Sequence, residues 1–220
     1  MSRPSKGKIT PLPEHMLLDL TADPFDLFTR WMKEADANEP HDPNAMSVAT
    51  ATADGRPSVR IVLLKGVSRR GFVFYTNKDS RKGEELAQNP YAALLFYWKS
   101  LRRQIRIEGR VESVTNDEAD AYFASRSRIS RLGAIASDQS RHLEKREIFE
   151  ERLTNLQAQY SEGDVIPRPQ NWSGYRVVPD AFEFWQEQPH RLHDRARWVA
   201  QNDPEVEREA RRWSVERLYP

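Results

Sequence analysis

Residues 102–114 read RRQIRIEGRVESV, and their side chains alternate: Arg102, Gln104, Arg106, Glu108 and Arg110 fall on one face, Ile105, Ile107 and Val111 on the other. Period two is the pleat of a β-strand, and a one-residue slip in its pairing would turn the apolar set into water. A chain holding this segment is committed to a sheet with one wet face. The neighbouring strands are legible too. Residues 46–52 (MSVATAT), 59–67 (VRIVLLKGV) and 71–76 (GFVFYT) succeed one another across tight turns at Ala53-Asp54-Gly55-Arg56 and at SRRG, so they pair antiparallel. Residues 91–98 (YAALLFYW) are apolar and β-favouring and read as a buried strand. Residues 172–178, 181–186, 191–200 and 211–218 read as further strands.

Helical spacing interrupts this pattern. Phe25, Leu27, Phe28, Trp31 and Met32 follow the start signal Asp23-Pro24, which predicts a helix over 23–38. Ser80 is the expected N-cap of a short helix that stops at Asn89-Pro90. Thr115 to Glu118 form a capping-box pattern that opens a helix through 119–125, and 141–160 read as a second, strongly charged helix. Residues 202–210 are acidic and fit either a long hairpin loop or a helical turn. The predicted fold class is mainly β with inserted helices (α+β), an antiparallel barrel of six to eight strands. Residues 1–22 read as a loosely ordered polar arm and 23–220 as one domain.

Charge narrows the function. The 34 Lys+Arg against 33 Asp+Glu leave a net charge of +1, so there is no general pull on nucleic acid or an anionic membrane. Any basic function is local. The absence of cysteine excludes thiol catalysis, disulfides and cysteine-based zinc sites. With neither a long apolar run nor a signal-type apolar region, the expectation is a cytoplasmic protein outside membranes. His190 and His193 have no carboxylate at ligand spacing, and no metal is expected. Neither a Gly-rich phosphate loop nor GxSxG is present.

Four local clusters stand out. Taken as a strand, 190–198 place Arg191, His193 and Arg195 on one face, where cations repel unless water or an anion screens them. Tyr122, Arg126 and Ser130 are spaced i, i+4, i+8 and would stack as an oxyanion grip if one helix ran through them. Spacing alone favours a solvated face there, and Ser127-Arg128-Ile129 offers an early stop. Ser80-Arg81-Lys82 at a helix N-terminus is a second anion site in principle, though ordinary capping explains it as well. Arg60 and Lys65 flank IVLL on opposite faces of one strand. A site using both needs a bend or a second subunit. Clustered cations and abundant aromatics suit a phosphorylated planar ligand better than a polymer.

The segments RIVLLK (60–65), FYTNKDSRK (74–82), RRQIRIEG (102–109), YFASRSRISRLGAIASDQS (122–140), EFWQ…RLHDR (183–195) and W…ERLYP (213–220) carry a resemblance. In order and spacing the chain resembles the pyridoxamine/pyridoxine 5′-phosphate oxidase family, FMN-dependent homodimeric enzymes of the split β-barrel fold. The resemblance implies that Arg191 and His193, with Leu192, meet the pyridine substrate, and that Trp185 and Arg195 meet FMN. It implies further FMN contacts from Arg60, Ile61, Val62, Leu63, Leu64, Lys65, Tyr75, Thr76, Arg81, Lys82, Gln104, Gln139 and Ser140. Lys65, Tyr122, Arg126 and Ser130 would hold the substrate phosphate, which turns the reading of that cluster from solvated face to grip. Each site would be built from two subunits. The implied reaction oxidises C4′ of pyridoxamine or pyridoxine 5′-phosphate to the aldehyde, with dioxygen reoxidising the flavin to give hydrogen peroxide. The chain departs from the family pattern at Ser127, Ile135 and Glu187. Rival readings are a related split-barrel flavoenzyme with another substrate, and a non-catalytic FMN or pyridoxal-phosphate carrier.

Overall fold

A computed structural model describes residues 17–201, 207 and 210–220. Its first helix explains how the sheet is filled. α1 (Pro24–Asn38) starts where the Asp23 carboxylate accepts the N–H groups of Phe25 (2.9 Å) and Asp26 (3.4 Å), and Pro24 at the first turn needs no donor. Phe25, Leu27, Phe28, Trp31 and Ala35 share the buried face. These side chains enter the concave side of the sheet. Phe28 meets Phe72 at 4.8 Å and Phe96 at 5.2 Å, and Trp31 meets Phe184 at 5.2 Å, all edge-on, the geometry that ring quadrupoles prefer.

The sheet holds β1 (Ala45–Ala51), β2 (Pro57–Leu63), β3 (Gly66–Ser68), β4 (Gly71–Asn77), β5 (Tyr91–Trp98), β6 (Arg103–Ser113), β7 (Trp172–Gln186), β8 (Asp194–Ala200) and β9 (Trp213–Leu218). The path runs β2-β1-β5-β6-β7-β4-β3, with β8 on β7 and β9 on β8. β7 organises it. One edge pairs with β6, and the other pairs first with β4 (172–177) and then with β8 (181–186). The register shifts between Glu108 and Gly109, opposite Pro179. A Cβ at Gly109 would lie 2.0 Å from the Val178 carbonyl oxygen, so only glycine permits this approach. Between strands sit α2 (Arg81–Gln88), α3 (Asn116–Ser125), α4 (Arg128–Ala136) and α5 (Arg146–Gln159). None of the described helices is long and apolar enough to cross a membrane.

Several expectations need correction. The strand expected over 59–67 is two strands. Leu64 turns into the core, with its N–H and C=O both bound to Asn44 (2.9 and 3.0 Å). β5 buries one face only. The bulge absorbs Pro179, so 172–186 is one strand rather than two. Ser80 precedes α2, but its hydroxyl donates to the Asn77 carbonyl (2.6 Å) instead of capping the helix. α4 was not anticipated. Residues 189–191 form a 3₁₀ turn, with His190 and Arg191 at φ of 59° and 63°, so the strand begins at Asp194 and the expected alternation of Arg191 with His193 does not exist. The arm is not loose over 17–22: Leu18 is buried, its N–H donates to Asp194 (2.6 Å), and Arg217 donates to its carbonyl (3.1 Å). Most of 202–210 lies outside the described residues.

Because α1 is the filling of the sheet, Phe28→Ala is expected to cost about 3–5 kcal/mol in denaturant unfolding. Val165→Ala, at a side chain 86% exposed, is expected to stay within about 0.5 kcal/mol.

Candidate functional site

The curled sheet does not close between β2 and β4. β2 pairs with β1 alone, and its other edge borders a cavity of about 1040 Å³. β4, α2, α4 and the ends of α3 and β7 supply the remaining walls. Of the residues singled out from sequence, Arg60, Ile61, Val62, Leu63, Lys65, Tyr75, Thr76, Arg81, Lys82, Tyr122, Arg126, Ser130, Gln139 and Ser140 line this cavity together. Leu64 does not, for its side chain is in the core and its peptide groups are bound to Asn44. The break after Leu63 lets Arg60 and Lys65 reach one cavity despite their strand parity.

One wall is cationic. Arg60 rises from β2, while Arg81 and Lys82 sit on the first turn of α2. Glu85 lies beneath them, 3% exposed. Its Oε2 accepts from Thr50, from Ser58 (2.5 Å) and from Arg60 (3.2 Å), and its Oε1 accepts from the Arg81 Nε (2.9 Å). Burial alone would raise the Glu85 pKa, but the bonds from Ser58, Thr50, Arg81 and Arg60 outweigh it and hold the group at about 2. Lys82 Nζ donates to Gln139 (2.7 Å), Thr76 (2.9 Å) and Ser80 (3.0 Å). Desolvation, with Arg60 nearby, lowers its pKa to about 8. Three cations less one carboxylate leave +2, the complement of a phosphate monoester dianion. Gly83 lets α2 start against the preceding turn, since a Cβ there would meet the Lys78 carbonyl oxygen at 2.0 Å.

The other wall is aromatic. Tyr75 stacks on Tyr122 (4.0 Å, 15°) and on Trp172 (5.5 Å, 7°). The Arg126 guanidinium lies 5.0 Å over Trp172. Burial lowers its pKa, and its Nη1 is buried with no hydrogen-bond partner among the described residues. A buried, unpaired guanidinium nitrogen is costly unless an anion completes it. Tyr122, Arg126 and Ser130 are not on one continuous helix. α3 ends at Ser125, and Ser127 caps α4, accepting from the Ser130 N–H (3.4 Å) and donating to the Ser130 hydroxyl (2.7 Å). The kink still delivers all three to the cavity, with Ser127 added.

Gln104, Trp185, Arg191, Leu192, His193 and Arg195 lie elsewhere. Trp185 pairs with Gln104 and Arg195 across β6, β7 and β8. His193 packs on Trp185 at 4.6 Å, and its Nδ1 accepts the Gln188 N–H (3.2 Å), which leaves Nε2 to carry the neutral ring's proton. Arg195 grips one Glu183 oxygen through Nε (3.0 Å) and Nη2 (2.7 Å) and the Tyr219 carbonyl through Nη1 (2.9 Å). Arg191 and Leu192 are exposed. Trp172 in the cavity and Trp185 here are thirteen residues apart on β7, on the order of 40 Å along an extended strand. None of these six residues lines the cavity. Glu85, Ser58, Thr50, Trp172 and Phe149 were not anticipated as site residues. The i, i+4 pair Arg81/Glu85 was the one sequence signal for any of them.

An open, curled antiparallel sheet with inserted helices places the chain among split-barrel proteins, and comparison with known proteins names the family. Residues 32–160 match the family model described as Pyridoxamine 5′-phosphate oxidase, and 172–220 match that of the Pyridoxine 5′-phosphate oxidase C-terminal dimerisation region. The chain is 65% identical over 204 residues to the pyridoxine/pyridoxamine 5′-phosphate oxidase of Gluconobacter oxydans, covering 93% of this chain and 98% of the relative. It is 57% identical to that of Sphingopyxis alaskensis, covering 96% and 94%. Among solved structures, PhzG from Burkholderia lata, in complex with tetrahydrophenazine-1-carboxylic acid, superposes with a TM-score of 0.83 at 34% identity, covering 96% of this chain and 98% of that one. The chain belongs to the pyridoxamine 5′-phosphate oxidase family.

With a folded-state pKa of about 2 against an ordinary 4.5, Glu85 contributes stability that is present above about pH 4.5 and lost as pH falls toward 2. The stability gap between wild type and Glu85→Gln is expected to be on the order of 3 kcal/mol at pH 7. It should shrink as pH falls below about 4.5, read by denaturant unfolding across pH.

Proposed function

We propose that this protein is an FMN-dependent oxidase that converts pyridoxamine and pyridoxine 5′-phosphate to pyridoxal 5′-phosphate. One observation carries the reading: a single cavity is lined both by Arg60, Arg81 and Lys82 and by Lys65, Tyr122, Arg126 and Ser130, two clusters of anion-binding side chains. A phosphorylated cofactor and a phosphorylated substrate held side by side need that arrangement, and the relatives' names agree with it. Arg60, Arg81, Lys82, Thr76 and Gln139 would hold the FMN phosphate, with the unpaired edge of β2 along the ring. Bound there, FMN supplies the two-electron acceptor for C4′, and dioxygen carries the electrons on to hydrogen peroxide, with water releasing ammonia from the amine substrate.

The chain's own part is positioning and charge. Lys65 and Arg126 fix the substrate phosphate, so that C4′ is set before reaction and the entropy of alignment is already spent. Gln104, Trp185, Arg191, His193 and Arg195 would come from the partner subunit of a homodimer, a reading supported by the match of 172–220 to a dimerisation region. Exposed apolar residues next to the cavity, Val59 at 66% and Ile61 at 64%, are the sort of surface a second copy covers. The partner subunit's Arg191 would then face the substrate ring, and the partner subunit's His193 would present its Nε2 proton. Pro189 and the left-handed backbone of Arg191 replace the strand expected there and aim this segment outward. A cytoplasmic location belongs to the same reading.

The structure of PhzG with a phenazine acid motivates a second reading, a substrate without phosphate. The unpaired Arg126 Nη1 argues for the phosphorylated one. The purified protein is expected to be yellow and to form aldehyde and peroxide from pyridoxamine 5′-phosphate under air. Arg126→Ala should raise KM for that substrate about 10- to 100-fold with flavin content kept, and an unchanged KM supports the second reading. His193→Ala should keep flavin and lower kcat roughly 100-fold. Bound phosphate would raise the Lys82 pKa, so binding takes up a proton wherever free Lys82 is neutral. FMN affinity of the apoprotein is therefore expected to fall as pH rises above about 8, by up to about tenfold per pH unit, in flavin-fluorescence titrations.

A further inference from the structure

Glu85 sits where a carboxylate has no obvious business, under the cationic wall of an anion site. Its charge opposes the ligand that the wall would attract. Yet it is held by bonds from three elements: Thr50 on β1, Ser58 and Arg60 on β2, and Arg81 on α2. α2 packs on β1 and reaches β2 through Glu85, and no ladder joins β2 to β4. Glu85 is thus a buried group that ties Arg60 of β2 to Arg81 of its own helix.

The geometry fixes direction as well as distance. Arg60 Nη1 donates to the Val48 carbonyl (3.2 Å) and the Thr50 hydroxyl (2.5 Å), and its Nη2 donates to Ser58 (2.5 Å) and Glu85. Arg81 uses only its Nε on Glu85, so its outer nitrogens stay available at a side chain 63% exposed. Without the carboxylate, Arg60, Arg81 and Lys82 would repel one another at close range. The long Arg81 side chain, exposed and with one anchor, would swing into solvent and would have to be ordered again by the ligand.

We propose that Glu85 is a positioning residue for cofactor phosphate recognition: it holds Arg60 and Arg81 in their binding geometry and thereby sets the discrimination between a phosphorylated flavin and its unphosphorylated analogue. The inference rests on the reading of the cationic wall as the FMN phosphate grip. Coulomb's law alone gives the opposite sign, because deleting a negative charge next to a dianion should tighten binding. The sign of the effect therefore separates orientation from simple charge balance.

The experiment titrates the apo forms of wild type and Glu85→Gln with FMN and with riboflavin, following flavin fluorescence. Wild type is expected to prefer FMN strongly. In Glu85→Gln the FMN dissociation constant should rise about tenfold or more, while that of riboflavin changes less than about twofold. Glu85→Asp, which keeps the charge but withdraws it by one methylene, should fall between the two. Tighter FMN binding in Glu85→Gln would overturn the proposal in favour of charge balance. Equal weakening of both flavins would overturn it in favour of a general support of the fold, as would failure of both variants to fold. Absence of FMN preference in wild type itself would count against the flavoenzyme reading and take the proposal with it.

Discussion

The sheet's failure to close between β2 and β4 is the constraint from which the site follows. A curled antiparallel sheet with a filled interior would ordinarily remove its edges by pairing them. Here α1 fills the concave side with aromatic rings, and α2, starting immediately after β4, stands at the split. The gap is bridged by side chains instead of a ladder. Arg60, Glu85 and Arg81 span it, Lys82 and Gln139 close it behind, and the stacked Tyr75, Tyr122 and Trp172 form the facing wall. An opening lined this way is suited to an anionic ligand, because its donors are already oriented by the protein and one side carries a net charge of +2.

Much of this was legible from residue order. The alternation of 102–114 gave β6 its two faces, and the aromatic spacing behind Asp23-Pro24 gave α1 and its buried side. The capping box at Thr115 marks the start of α3, as read, with both reciprocal bonds formed. Local chemistry determines these features, and local chemistry is what a single sequence displays. The errors fall where tertiary contact overrides it. Leu64 belongs to an apolar run that suggests an uninterrupted strand, but burial in the core and the two bonds to Asn44 take it out of line. Pro179 suggests a break in β7, but the Gly109 bulge accommodates it. The EFWQ…RLHDR segment suggests a strand with two guanidiniums and an imidazole on one face, but Pro189 and two left-handed residues make a turn of its first half.

The candidate site was legible in a different way. Cation-rich segments could be picked out, but spacing could not say that Arg60 and Lys65 share a cavity or that Arg126 reaches it from a kink between two helices. Glu85 was hidden for a physical reason. In sequence it is one acid in a charged surface helix, and only burial beneath Arg60 and Arg81 distinguishes it. The chain also divides its candidate residues between two regions joined by the length of β7. That division would give dimerisation a chemical meaning: neither region alone holds both the Arg60/Lys82/Arg126 cavity and the His193/Trp185 pair.

Subunit complementation tests that division most directly. Arg126→Ala and His193→Ala chains, each expected to be poorly active as homodimers at substrate concentrations near the wild-type KM, are mixed under conditions that exchange subunits, and oxidase activity is followed at that concentration. If each site draws Arg126 from one chain and His193 from the other, every heterodimer regains one intact site, and an equal mixture should recover about a quarter of wild-type activity. Activity no greater than the average of the two parent variants, with heterodimers verified by differential tags, would contradict a site shared between subunits.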